Sequence, residues 1–146
     1  MRLPLALLLC LLALPAWLLA APAGAFDFSG RWYGFGYQPA WGFASQWIAQ
    51  RSSNGDLEIE FRRYENCQLV HRQVERGHWV VEGSRYSSLI AQINDKPVMR
   101  VEDYELLAQE GDIIRYRHLG SGQIFQARRV PADFTWPDCS GGQFTS

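Results

Sequence analysis

Lysine, histidine and cysteine are scarce in this 146-residue chain, and each shortage narrows the chemistry open to it. His71, His78 and His118 fall in separate segments and show no ligand spacing around a cysteine, so no metal site is expected. No Gly-x-Ser-x-Gly elbow occurs, and Ser29, Ser45 and Ser84 have no neighbouring base. No catalytic residue and no cofactor are therefore assigned. An excess of charge is missing too: 14 basic residues face 15 acidic ones, a net charge of −1. So even a balance leaves no electrostatic footprint for nucleic acid or anionic lipid. Lys96 is the only lysine, and the dominance of arginine reads as a bias of the genome before it reads as phosphate recognition. Helical periodicity is almost absent beyond the amino-terminal segment.

That segment is the one long hydrophobic run. Arg2 is followed by LPLALLLCLLALPAWLLA, and no further charge appears until Asp27. Ala23-Gly24-Ala25 closes it with a small-x-small pattern, the signature of a cleaved export signal, so residues 1–25 are expected to be a signal peptide. The competing reading is a retained membrane anchor, since the run is long enough to span a bilayer. Pro15, Pro22 and the cleavage pattern weigh against it. The mature chain, residues 26–146, has the length of one domain, is expected to be periplasmic or secreted, and should not insert stably in a membrane. With Cys10 lost in the leader, Cys67 and Cys139 remain. An even pair in an oxidising compartment reads as a disulfide, and two unpaired buried thiols are the alternative. Closing a loop of about 70 residues contributes roughly 4 kcal/mol in the chain-entropy account.

What is abundant is alternation. In DLEIEFRRY, Leu57, Ile59 and Phe61 share one face and Glu58, Glu60 and Arg62 the other, a period of two with one buried side. Asn54-Gly55 precedes that strand as a hairpin signal. Turn residues recur at Asn94-Asp95-Lys96-Pro97, Gly111-Asp112 and Gly120-Ser121-Gly122. The pattern predicts eight strands, near 31–38, 44–52, 56–64, 68–76, 78–93 (bent near Gly83), 98–108, 112–119 and 123–130. Short connections make consecutive strands antiparallel neighbours. An all-β, up-and-down barrel hides its edges by closing, with a flattened sandwich as the alternative. The tail from Pro131 is expected to lie across the barrel wall without regular structure. SGRWYGFG at 29–36 and RGHWVVEG at 76–83 echo one another, as though two strand starts each placed a tryptophan at the barrel floor.

At Gly30-Arg31-Trp32-Tyr33 the chain resembles the lipocalins and the wider calycin superfamily, whose first strand opens with Gly-x-Trp after a short apolar lead. Glu102-Asp103-Tyr104 resembles the family's Thr-Asp-Tyr element with its first residue changed. Arg128-Arg129 stands where the family places an arginine over the Gly-x-Trp ring. Cys67 with Cys139 resembles the family disulfide. The resemblance implies structural roles for Gly30, Trp32 and Arg129, with Arg129 stacked on Trp32. It departs in three ways: the chain is short for a lipocalin, no long helix follows the last strand, and Glu102-Asp103-Tyr104 arrives one strand early.

Small barrels often enclose one small molecule, so a non-catalytic binding protein for a small apolar ligand is the leading expectation. Tyr37, Trp41 and Phe43 form the expected lip, with Trp47 and an inward His118 below it. The bland alternative is that Trp32, Trp47, Leu57, Ile59 and Phe61 fill the barrel. A second class is a scaffold acting through its outer surface, as an inhibitor or envelope-interaction protein, with Tyr33, Phe35 and Tyr37 as an outward aromatic stripe. A cavity of several hundred Å³ would favour the first class and a filled barrel with an exposed aromatic patch the second. The acidic cluster Glu102, Asp103 and Glu105 reads as a solvated strand edge.

Overall fold

A computed structural model of the protein describes residues 25–38 and 43–138, without the side chains of Tyr37, Gln38 and Phe43. Eight strands run β1 (Gly30–Gln38), β2 (Phe43–Arg51), β3 (Asp56–Glu65), β4 (Gln68–Glu82), β5 (Arg85–Ile93), β6 (Lys96–Glu110), β7 (Ile113–His118) and β8 (Ile124–Arg129). Each pairs antiparallel with the next and β8 returns to β1, so the sheet is a closed up-and-down barrel, not a sandwich. The closing seam is short: Trp32, Tyr33 and Gly34 pair with Arg129, Arg128 and Ala127.

The count of eight matches the pattern, but one break lies elsewhere. The expected interruption after residue 76 is a bulge at Arg76/Gly77 inside β4, and the bend near Gly83 is the real turn. Gly77 continues the strand because a Cβ there would come within 1.8 Å of the Leu89 carbonyl oxygen; only a glycine lets β5 approach so closely. Gly83, at φ +61, supplies the left-handed turn that ends β4. The echo of Trp32 in Trp79 is correspondingly partial. Trp79 does reach the core and donates from its indole to the Ser52 carbonyl at 2.9 Å, but it sits within β4 rather than at a strand start.

Alternation then sorts the interior. Leu57 and Ile59 are buried while Glu58 between them is exposed. One cluster gathers Phe28, Trp32, Tyr86, Ile114 and Tyr116, and a second gathers Trp47, Leu57, Ile59 and Ile90, with Trp79 and Phe125 touching both. Burying a side chain of this size stabilises by roughly 2 to 3 kcal/mol, so these two clusters hold the barrel.

Beyond Arg129 the chain crosses the outside of β1 and β2 without regular structure. Val130, Phe134 and Trp136 pack over Tyr33 and Ile48 there. Gln46 ties the crossing down: it accepts from the Tyr33 hydroxyl at 3.3 Å and donates to the Pro137 carbonyl at 3.2 Å. This overturns the outward stripe. Tyr33 is buried beneath the tail, Phe35 stays half exposed, and the Tyr37 side chain lies outside the described residues.

Candidate functional site

The barrel floor is built first from the lead into β1. Phe28 meets the Trp32 ring edge-on at 5.4 Å, and the Trp32 indole donates to the Ser29 carbonyl at 2.8 Å. The Arg129 guanidinium lies 4.5 Å from the Trp32 ring centroid. Its Nη1 donates to the Ser29 carbonyl at 2.7 Å, and its Nη2 donates to the Asp27 backbone and carboxylate oxygens at 3.1 and 3.0 Å. A hydrogen bond from Ser29, helped by Arg129, holds the Asp27 carboxyl below its usual range. Gly30, at φ +92, leaves room for this hand: a Cβ there would sit 2.8 Å from Arg129 Nη1.

A second arginine stands inside. On β2 the period of two that turns Trp47 and Ala49 inward carries Arg51 with them, and Arg51 is 3% exposed. Its guanidinium carbon lies 3.7 Å from the Phe28 centroid and 4.8 Å from that of Tyr86. Nε and Nη2 both donate to the Tyr86 hydroxyl, at 3.3 and 3.1 Å. Nη1 is buried and has no hydrogen-bond partner, and among the described residues no carboxylate pairs with Arg51. A lone buried charge carries a desolvation penalty of several kcal/mol. Two cation–π contacts offset about 1 to 2 kcal/mol each. The cation is only partly compensated.

Arg51 borders a half-open cavity of about 70 Å³, lined chiefly by Trp47, Phe61, Tyr86, Tyr104, Tyr116 and Phe125. Gly34 makes room on this wall, since a Cβ there would fall 2.2 Å from the Trp47 ring. Burial pushes the Tyr116 hydroxyl up to about 12 and raises Tyr104 further. Both remain protonated donors at any ordinary pH.

Elsewhere in the barrel, β4, β6 and β7 carry a polar chain, in which Arg100 Nε makes an ion pair but no hydrogen bond. Glu75 accepts from Arg100 and from Gln73, Arg100 lies 3.0 Å from Glu102, and Glu102 lies 2.7 Å from His118 Nε2. His118 Nδ1 faces the Ser121 hydroxyl at 2.8 Å and accepts the Ser121 backbone N–H at 3.1 Å, which staples the β7–β8 turn. The acidic cluster lies in mid-sheet rather than at an edge, and it keeps its contact with solvent. Glu102 is tied into this chain, while Asp103 bonds Arg85 and Ser87 and Glu105 bonds Arg117 at the outer surface. Cross-strand partners and solvent together balance the three carboxylates.

Of the ligand-binding residues expected from the sequence, Trp47 lines the cavity. His118 stands one ring away, 5.1 Å from Tyr104, with both nitrogens engaged. Trp41 and the side chains of Tyr37 and Phe43 lie outside the described residues, so the lip does too. Cys67 occupies the tight β3–β4 turn at φ 60, and Cys139 is outside the described residues. Arg51 and Tyr86 were not singled out from the sequence. The signal for Arg51 was present, two alternations on from Trp47, but charge on a strand is ordinarily read as solvent-facing.

A hollow of about 650 Å³ lies on the outer wall, among Arg31, Gln50, Glu58, Arg76, His78 and Gln92. Arg76 is paired there with Glu58 and Asp95, both at 2.8 Å. It is a broad, charged concavity rather than an enclosed pocket.

No protein-family model matches the chain, and no curated protein matches it. Fold and interior together define a closed eight-stranded antiparallel barrel with a plugged floor and a small cavity edged by hydrogen-bond donors. That architecture is consistent with a calycin-like fold.

Proposed function

We propose that this protein is an exported, lipocalin-like binding protein that takes one small molecule inside its barrel and carries out no catalysis. The observation that supports the reading is the interior cavity, walled by aromatic rings and bordered by a cation with an unused donor. At about 70 Å³ the cavity falls well short of the several hundred Å³ expected of a ligand barrel, so the interior is largely filled and the ligand is revised downward. An apolar cavity of roughly 150 Å³ holds a benzene ring, so about 70 Å³ admits only a short group and not a folded long chain. The same reading includes removal of the leader and pairing of Cys67 with Cys139. Quenching of tryptophan emission by small aromatic and aliphatic probes tests the central point, because Trp47 is in the cavity wall. No quenching by any of them, together with no co-purifying small molecule in native mass spectrometry, sinks it.

A second reading draws on the outer wall. Val80, Leu89, Met99 and Val101 are exposed on β4 to β6, Met99 at 89%, and Leu89 pairs with Val101 across the β5–β6 ladder. An apolar strip of this kind suits a protein partner. Met99→Asp abolishing co-precipitation of an envelope protein, with barrel ligands still bound, would favour it.

A further inference from the structure

Closure leaves a stretch of β6 without a second neighbour. β5 pairs with β6 from Lys96 to Glu105, but β7 stops at His118 and joins β6 only from Tyr104 onward. Lys96 to Glu102 therefore carry a ladder on one side alone among the described residues. Successive strand residues turn their backbone groups to opposite sides, and the two ends of this stretch show which. Ile93 pairs with Lys96 across the Asn94-Asp95 turn, and the Leu106 N–H donates to the Ser84 carbonyl at 2.7 Å, so even-numbered positions face β5. The Asp103 carbonyl faces the other way and accepts from the Leu119 N–H at 2.8 Å. The register shift opposite Ala91 leaves both ends in agreement. Met99 and Val101 thus point N–H and C=O to a side where no described strand lies. Their side chains are exposed, as are those of Val98 and Leu89. The overhang of β4 above β5 differs. Asn94 closes it at Val74, bonding both backbone groups, and the β3–β4 register slips beside His71.

We propose that this edge of β6 pairs with the same edge of a second copy, antiparallel about a two-fold axis at Met99. An exposed apolar strand edge is a template for another strand, and a two-fold contact uses one patch twice. The open stretch is symmetric about Met99: it starts at Lys96, after the turn, and ends at Glu102, before the residue that Leu119 holds. Centred there, the two Met99 residues exchange N–H and C=O, and each Val101 N–H donates to Pro97 of the second copy. Pro97 has no N–H, and it stands on the outer side of an edge, where a strand tolerates proline. Lys96 falls opposite Glu102 of the second copy, and opposite charges in this position favour the register. A register slipped by two residues sets Lys96 against Arg100 instead. Pro97, Met99 and Val101 then form one apolar face, with Leu89 beside Val101. The contact is short beside a standard interface of about 800 Å² per partner, so the dimer forms with concentration and is not obligate. This gives the outer apolar strip a second copy as occupant in place of a foreign protein, and it is independent of the interior cavity.

The test is sedimentation velocity on the purified protein over a range of concentrations, with amide hydrogen exchange at both extremes. Wild-type protein is expected to pass from monomer to dimer. The Met99 and Val101 amides should slow as it does, while the Arg100 amide, which faces β5, should not change. Met99→Lys and Met99→Glu each set like charges against one another at the axis and should weaken association by about tenfold or more. Met99 is 89% exposed, so neither change disturbs the barrel. Mixed in equal amounts, the two variants should restore the dimer, because unlike charges then meet. A monomer at every concentration, a dimer that neither variant weakens, or no recovery in the mixture overturns the proposal. So does slowing of the Met99 and Val101 amides only after an envelope extract is added, which assigns the edge to a foreign strand. Should a variant fail to fold, the concentration dependence of the wild-type amides still decides the matter.

Discussion

Arg129 and Arg51 approach the same aromatic floor and are treated in opposite ways. Arg129 lies over Trp32 and finds oxygen for its donors: the Ser29 carbonyl, the Asp27 carbonyl and the Asp27 carboxylate, with Asp112 at 3.5 Å. Arg51 lies over Phe28, more deeply buried, and its hydrogen bonds all go to one tyrosine hydroxyl. The first arginine is a fastener joining β8 to the lead into β1. The second spends stability without completing its own bonding, which is the usual mark of a functional position. The difference separates an arginine that fastens the fold from one whose bonding the fold leaves incomplete.

The comparison can be broken in several ways. The largest effect is expected for Trp32→Ala, which removes the ring that Arg129 stacks on and Phe28 meets edge-on, and should cost about 3 to 5 kcal/mol in denaturant unfolding. Gly34→Ala comes next, because its methyl group is driven into the Trp47 ring. A loss of about 1 to 3 kcal/mol and a shifted tryptophan emission are expected. Arg129→Met should lower stability by about 1 to 2 kcal/mol through the lost stacking on Trp32. A separate change belongs to alkaline pH. The Tyr116 hydroxyl titrates near 10 when unfolded and is pushed up to about 12 by burial in the native barrel. Its folded value is raised, so its contribution is complete below pH 10 and is lost as pH climbs from 10 toward 12. Unfolding midpoints followed across that window should fall, with tyrosinate absorbance appearing late.

Much of the architecture was legible because period-two alternation and turn residues are local signals. The face of Leu57 and Ile59 and the Asn54-Gly55 turn follow from them, while the return of β8 to β1 was inferred from the need of eight meandering strands to hide their edges. The break between β4 and β5 was not legible. Gly77 and Gly83 look alike in sequence, and only the approach of the Leu89 carbonyl shows that the first keeps a strand close and the second turns it. The covering of Tyr33 was equally hidden, since Phe134 and Trp136 reach it across about 100 residues of chain. In the interior, Trp47 was readable as an inward ring, whereas Arg51 was passed over for its charge. Whether a strand arginine faces water or a cavity depends on the closure of the whole sheet, which no local pattern encodes.

The central claim is that Arg51 is kept for a ligand and Arg129 for the fold. Denaturant unfolding of Arg51→Met and Arg129→Met side by side, without added ligand, tests it most directly. The account predicts opposite signs: Arg129→Met less stable than wild type, Arg51→Met equally stable or more so, because an uncompensated buried cation has been removed. A loss of stability in Arg51→Met as large as that in Arg129→Met would contradict it.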